Sequence, residues 1–155
     1  MPEHEHIVKV VREWVGKAEE DLRVAAYLLT LGKECPPDVV CFHAQQSVEK
    51  YLKALLVLNR IEFPKTHAIR TLAALLPIGS RPAIDEAVQD RLTEYATVTR
   101  YPGDYEPIVL SEARKAVASA RRVHRDARRL LPKESAQPRG RRRGLRGDQQ
   151  SDRAH

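Results

Sequence analysis

Apolar residues recur every three or four positions along most of this chain, and the recurrence breaks only at clusters of Pro, Gly and charge. Val8, Val11, Val15, Ala18, Leu22, Ala25 and Leu29 form one such series, with Trp14, Tyr27 and Leu28 beside it. They predict a first helix over 7–31, free of interior proline and capped by Gly32. Pro36 and Pro37 then enforce a break, and Asp38 is the expected N-cap of a second helix that runs to about 59. Its buried stripe is Cys41, Ala44, Val48, Leu52 and Leu55, widened by Phe42, Tyr51, Leu56 and Leu58. A short third helix is predicted over 67–76, stopped by Pro77 and Gly79, and a fourth over 82–99, with Pro82 in its first turn. Ile84, Val88, Leu92, Tyr95 and Val98 give the fourth its inner side. Pro102, Gly103, Asp104 and Pro107 make 100–107 a loop. A last helix starts at Ser111 as N-cap and reaches about 131, with Ala113, Val117, Ala120, Val123, Ala127 and Leu130 facing in. No segment alternates apolar and polar residues long enough to form a strand. The pattern therefore predicts an all-α fold, an antiparallel helical bundle of four to five helices.

Composition changes this picture mainly at the ends. A chain of 155 residues, 42% hydrophobic, suits one domain with one core. The expected division is a flexible N-terminus over 1–6, the bundle over 7–131, and a disordered basic tail over 132–155. Net charge is +6, and residues 133–155 alone carry seven Lys or Arg against three acids. That segment has almost nothing apolar to bury against the entropy of ordering. Its cluster from Arg139 to Arg146 either grips phosphates without sequence preference or only keeps the terminus solvated. The last helix ends in Arg121, Arg122, Arg125, Arg128 and Arg129. Cations there complement the negative helix end, yet five exceed what capping needs, so a basic ridge for RNA or another polyanion stands beside that reading. The two cysteines, Cys35 and Cys41, read as reduced thiols. No apolar run approaches the roughly 20 residues that cross a bilayer. The opening MPEHEHIVKV is charged where a secretory leader would be apolar, and the expected location is cytoplasmic, with no membrane partner.

The densest chemistry lies in CFHAQQSVEKYLKALL, from Cys41 to Leu56, where His43, Gln45, Gln46, Glu49, Lys50 and Lys53 share a helix with the apolar stripe. The plain reading of His43, and of the amides beside it, is a polar seam that hydrogen-bonds between helices or across a dimer. Cys35, Cys41 and His43 lack a fourth ligand at zinc spacing, and His4 and His6 are too few to define a site. There is no glycine-rich phosphate loop, and Ser47 has no evident Asp–His partner. No metal or cofactor is expected.

This phrase closely resembles the signature helix of the HEPN family, whose name abbreviates "higher eukaryotes and prokaryotes nucleotide-binding". Three further features are similar to the family in the same order: Trp14, Ala18, Asp21 and Leu22 in the opening helix; His67 and then Leu72 after a proline-containing loop; and Arg100, Tyr101, Pro102 before the last helix. The resemblance covers roughly 14–131 and implies a bundle of four or five helices that commonly dimerises.

What the resemblance implies for function is divided. Many HEPN proteins resemble metal-independent ribonucleases in which an Arg, followed after four to six residues by a His, acts on a phosphodiester at a dimer cleft. The Arg holds the phosphate and the His moves protons. Here Arg100 is followed at the corresponding place by Tyr105, and no His occurs between Arg100 and His124. A phenol, with an unperturbed pKa of about 10, is a poor base at neutral pH. Arg60 and His67 have the right spacing, but in a different loop. The chain also resembles stand-alone HEPN proteins that pair with a minimal nucleotidyltransferase as a toxin–antitoxin-like system. In that reading Arg100, Tyr101, His43, Gln46, Lys50, Arg121 and Arg125 contact nucleotide or RNA, and a loop Tyr can accept a nucleotidyl group from the partner. The alternatives are a ribonuclease using Arg100 with Tyr105 across a homodimer, and a helical interaction module without nucleic acid.

Overall fold

The computed structural model describes residues 2–97 and 106–136. Its helices are α1 (Pro2–Leu29), α2 (Pro37–Leu58), α3 (Ile69–Leu75), α4 (Glu86–Thr97), α5 (Leu110–Leu130) and a single-turn α6 (Lys133–Ala136), with short 3-10 turns at Gly32–Glu34 and Ile78–Ser80. No strand occurs among the described residues. The all-α bundle expected from the apolar pattern is the fold observed.

α2 is the centre. It packs along α1 most extensively, then against α5, α4 and α3. Cys41, Ala44, Val48, Tyr51, Leu52, Leu55 and Leu56 are fully buried, and each large side chain among them contributes about 1.5–3 kcal/mol through burial. α1 and α2 run antiparallel, since contacts that move up one helix move down the other: Asp21 meets His43, Ala18 meets Ser47, and Trp14 meets Lys53. The approach at Ala18 is close enough for the buried Ser47 Oγ to donate to its carbonyl at 2.8 Å. α5 presents Ala113, Ala116, Ala120 and Ala127 inward, all buried, and side chains this small let it lie near α2. Cys35 and Cys41 are both buried, and no disulfide joins them.

The helix ends differ from expectation more than the helices do. α1 starts at Pro2, five residues early, because proline is tolerated in a first turn and Glu3 and Glu5 suit the positive end of the dipole. α2 begins at Pro37, with Pro36 extended before it, so Asp38 lies inside the first turn and is not the cap. α4 begins at Glu86, well after Pro82: the Asp85 carboxylate accepts from the Val88 N–H at 2.9 Å. Val109, and not Ser111, precedes the first turn of α5, without a side-chain cap. Lys133–Ala136 forms one helical turn in a stretch assigned to the tail, and Arg12 of α1 donates to the Glu134 carbonyl at 2.6 Å. α1 ends at Leu29, two residues short of the expected 31, and Gly32, expected as its cap, instead opens the following 3-10 turn with a positive φ of 58°.

Arg60, just past α2, has the same φ of 58° without being glycine. An L-residue in that region carries roughly 1–2 kcal/mol of strain. Its only described ion pair is an exposed one with Glu3 at 3.1 Å. Arg60→Gly is therefore expected to raise stability by about 0.5 kcal/mol once the greater freedom of glycine in the unfolded chain is subtracted. Urea denaturation checks this, and a clear loss of stability would mean that the Glu3 contact outweighs the strain.

Candidate functional site

α2 is buried nearly all round, so little of it faces outward. The open strip consists of Val39, Phe42, His43, Gln46, Lys50, Lys53 and Val57, which recur at helical spacing while their neighbours are buried. The polar part of the phrase divides into two linked clusters along it.

In the first, the Asp21 carboxylate of α1 sits between two residues one heptad apart on α2. His43 Nδ1 lies 2.9 Å from Oδ1 and Lys50 Nζ 2.5 Å from Oδ2. All three are largely screened from solvent, the Asp21 side chain being only 13% exposed. The Phe42 and His43 rings meet nearly at right angles, with centroids 5.4 Å apart. In the second cluster the Glu49 carboxylate, with its side chain 3% exposed, accepts from Lys53 at 2.6 Å and from Gln45 Nε2 at 3.0 Å, and it lies 2.9 Å from His67 Nδ1. Burial works to raise its pKa, but the bonds from Lys53, Gln45 and His67 outweigh that, and the carboxyl is held below its ordinary range. Gln46 donates to Gln45 Oε1 at 2.6 Å, which connects the exposed strip to the buried cluster. The Lys53 ammonium also lies over the Trp14 ring, 5.3 Å from its centroid.

His67 is thus tied to the middle of α2, whereas Arg60 extends from its far end to Glu3. Eleven residues of helix rise separate Glu49 from Arg60, roughly 16 Å. The Arg60–His67 pair is not assembled into one site.

Of the seven residues expected to contact nucleotide or RNA, the five that are described do not form one group. Arg100, Tyr101 and Tyr105 lie outside the described residues. His43 and Lys50 converge on Asp21, with Gln46 between them on the same strip. Arg121 and Arg125 are exposed on α5, on another side of the molecule: Arg128 of α5 reaches Glu19 of α1 at 3.4 Å, and Glu19 and Asp21 point about 160° apart around that helix.

Between α4 and α5 lies a cavity of about 420 Å³, lined by Val88, Arg91, Leu92, Tyr95, Glu112 and Ser119 among others. Glu112 accepts from Tyr95 Oη at 2.6 Å and pairs with Arg91, whose guanidinium stands over the Tyr95 ring. Burial, reinforced by Glu112, pushes the Tyr95 phenol far above its ordinary range. Elsewhere Tyr51 Oη meets His124 Nδ1 at 2.9 Å in the α2–α5 contact. Neither cluster was apparent from the sequence, where only the helical spacing of Arg91, Glu94 and Tyr95 hints at a shared face. Among the described residues no group of His, Cys, Asp and Glu could hold a metal ion, and no helix is long and apolar enough to cross a membrane.

A family model described as HEPN domain matches residues 11–130, which takes in most of α1, all of α2 to α5 and both carboxylate clusters. The chain belongs to the HEPN family. Its fold is similar to the crystal structure of TT1696 from Thermus thermophilus, with a TM-score of 0.63 and 30% identity over 78% of this chain and 98% of that one. It is also similar to ST0689, an archaeal HEPN homologue, with a TM-score of 0.60 and 26% identity at the same coverage. Over 56 residues it is 46% identical to a Methanocaldococcus jannaschii protein named "Putative toxin MJ1304". That match spans 36% of this HEPN chain and 35% of the archaeal protein, about a third of its length.

Proposed function

We propose that this chain is a nucleotide- or RNA-binding HEPN module and one component of a toxin–antitoxin-like pair, a cytoplasmic homodimer that works with a minimal nucleotidyltransferase. The observation that carries the reading is the HEPN match across the whole bundle, together with the segment 46% identical to a protein named as a toxin. The arrangement of α2 supports recognition over turnover. The two imidazoles of interest, His43 on α2 and His67 in the stretch before α3, are each already engaged by a carboxylate, and the sequence after Arg100 offers a phenol at Tyr105 in place of an imidazole. An Arg without a proton-transfer partner can hold a phosphate but supplies only part of what cleavage needs.

The test is co-expression with a minimal nucleotidyltransferase encoded beside this chain, combined with RNA binding and RNA cleavage by the purified protein. The expected outcome is a stable complex, and RNA that is bound but left intact. Arg100→Ala should weaken that binding roughly tenfold, as removal of one charge-assisted phosphate contact does, while Tyr105→Phe leaves it unchanged. Cleavage abolished by Arg100→Ala would replace this reading with the ribonuclease one. Absence of both complex and RNA binding would leave a helical interaction module.

A further inference from the structure

The outer face of α5 carries cations in two adjacent rows. Arg114, Arg121 and Arg125 form one, and Lys115 and Arg122 run beside them one heptad apart, so all five project from the same side of the helix. All five are exposed, and none has an acidic partner within ion-pair distance among the described residues. Their neighbours differ: Arg128 reaches Glu19 and Arg129 is paired with Asp126. The positive field is felt inside the bundle too. After burial itself, Arg128 and Arg125 are what hold the proton affinity of His124 below its ordinary value.

Complementing the helix dipole does not explain these rows. The dipole favours cations only near the last turn, whereas Arg114 and Lys115 lie close to the start of Leu110–Leu130. A protein-binding face does not fit either. The exposed residue between the rows is Ala118, and the face has no aromatic or large aliphatic side chain to anchor a desolvated interface. Four of the five cations are Arg, whose planar fork suits phosphate oxygens. From Arg114 to Arg125 the helix rises roughly 16 Å, long enough to lie along several phosphates of one strand.

We infer that the outer face of α5 is a track for the phosphodiester backbone of RNA, gripping successive phosphates without reading bases. The track deepens the RNA-binding reading above and rests on it. It is distinct from the strip on α2.

The test uses the full chain, a labelled unstructured RNA and a labelled RNA duplex, with binding measured across a range of salt concentrations. The variant Arg114→Gln/Arg121→Gln/Arg125→Gln should bind the unstructured RNA at least tenfold more weakly at low salt. Its plot of log affinity against log salt should be shallower by about 2, since each phosphate contact on a single strand contributes about 0.7. The loss should not depend on base sequence. The matching triple Arg→Lys variant should keep the slope, and circular dichroism should be unchanged in both. RNA binding that persists with an unchanged slope in the Gln variant removes the track and leaves the RNA-binding reading standing. Failure of the unaltered chain to bind either RNA removes both. Polyglutamate bound as tightly as RNA, and weakened equally by the substitutions, would make this a surface for acidic proteins and overturn the inference.

Discussion

Glu49→Ala is expected to destabilise the bundle by about 3–5 kcal/mol, the usual cost of removing one member of a buried charge pair. The carboxylate holds Lys53, Gln45 and His67 at once. Its loss strands a mostly buried ammonium and leaves the stretch after α2 held to the middle of that helix only by the Gln45 amide, which donates to the His67 carbonyl at 3.2 Å. Urea denaturation measures the effect, and a change below about 1 kcal/mol would show that the cluster relaxes onto water or other partners. The pH dependence gives a second check. The folded pKa of Glu49 lies below its ordinary value of 4.5, so its contribution is fully present above the unfolded pKa and is lost as pH falls through the folded one. Glu49→Gln should therefore show a smaller loss of stability than the native chain on acidification below about 4.5. Equal losses in both proteins would place the acid sensitivity elsewhere.

Leu52→Ala should cost about 2–5 kcal/mol. Leu52 is fully buried at the centre of α2, where close-packed neighbours on several helices limit collapse into the cavity. For a chain of this size the melting temperature should fall by roughly 10 °C. Leu75→Ala is the matched control, because Leu75 is 38% exposed at the end of α3 and its truncation should cost under about 1 kcal/mol. Comparable losses at the two positions would contradict the central placement of α2.

How much of this was legible beforehand follows from what is local. The stripe of Cys41, Ala44, Val48, Leu52 and Leu55 is visible because burial imposes the helix period directly on the sequence, and α2 is where expected. Helix starts were less legible because several residues compete to begin a turn. Pro82, Asp85 and Glu86 are all acceptable by type, and the choice is made by the Ala83 N–H, which donates to Asp126 of α5 at 2.8 Å and holds that stretch outside the helix. Side-chain partners depend on register between helices, which one strand of letters does not carry. His43 and Lys50 could be placed on one strip, but not the fact that a single carboxylate, Asp21, joins them. The same holds for His67 with Glu49 and Tyr51 with His124. Arg121 and Arg125 were grouped with His43 and Lys50 by residue type, and the bundle puts them on different sides of α1.

The seat that Asp21 occupies between His43 and Lys50 sets a condition on any visitor to that strip. An incoming anion finds the Lys50 ammonium and the His43 ring nitrogen already engaged, so it has to displace a carboxylate that also ties the first two helices together. Occupancy there would be coupled to a loosening of that helical hairpin. A tight guest would then be one that repays the broken tether with contacts of its own.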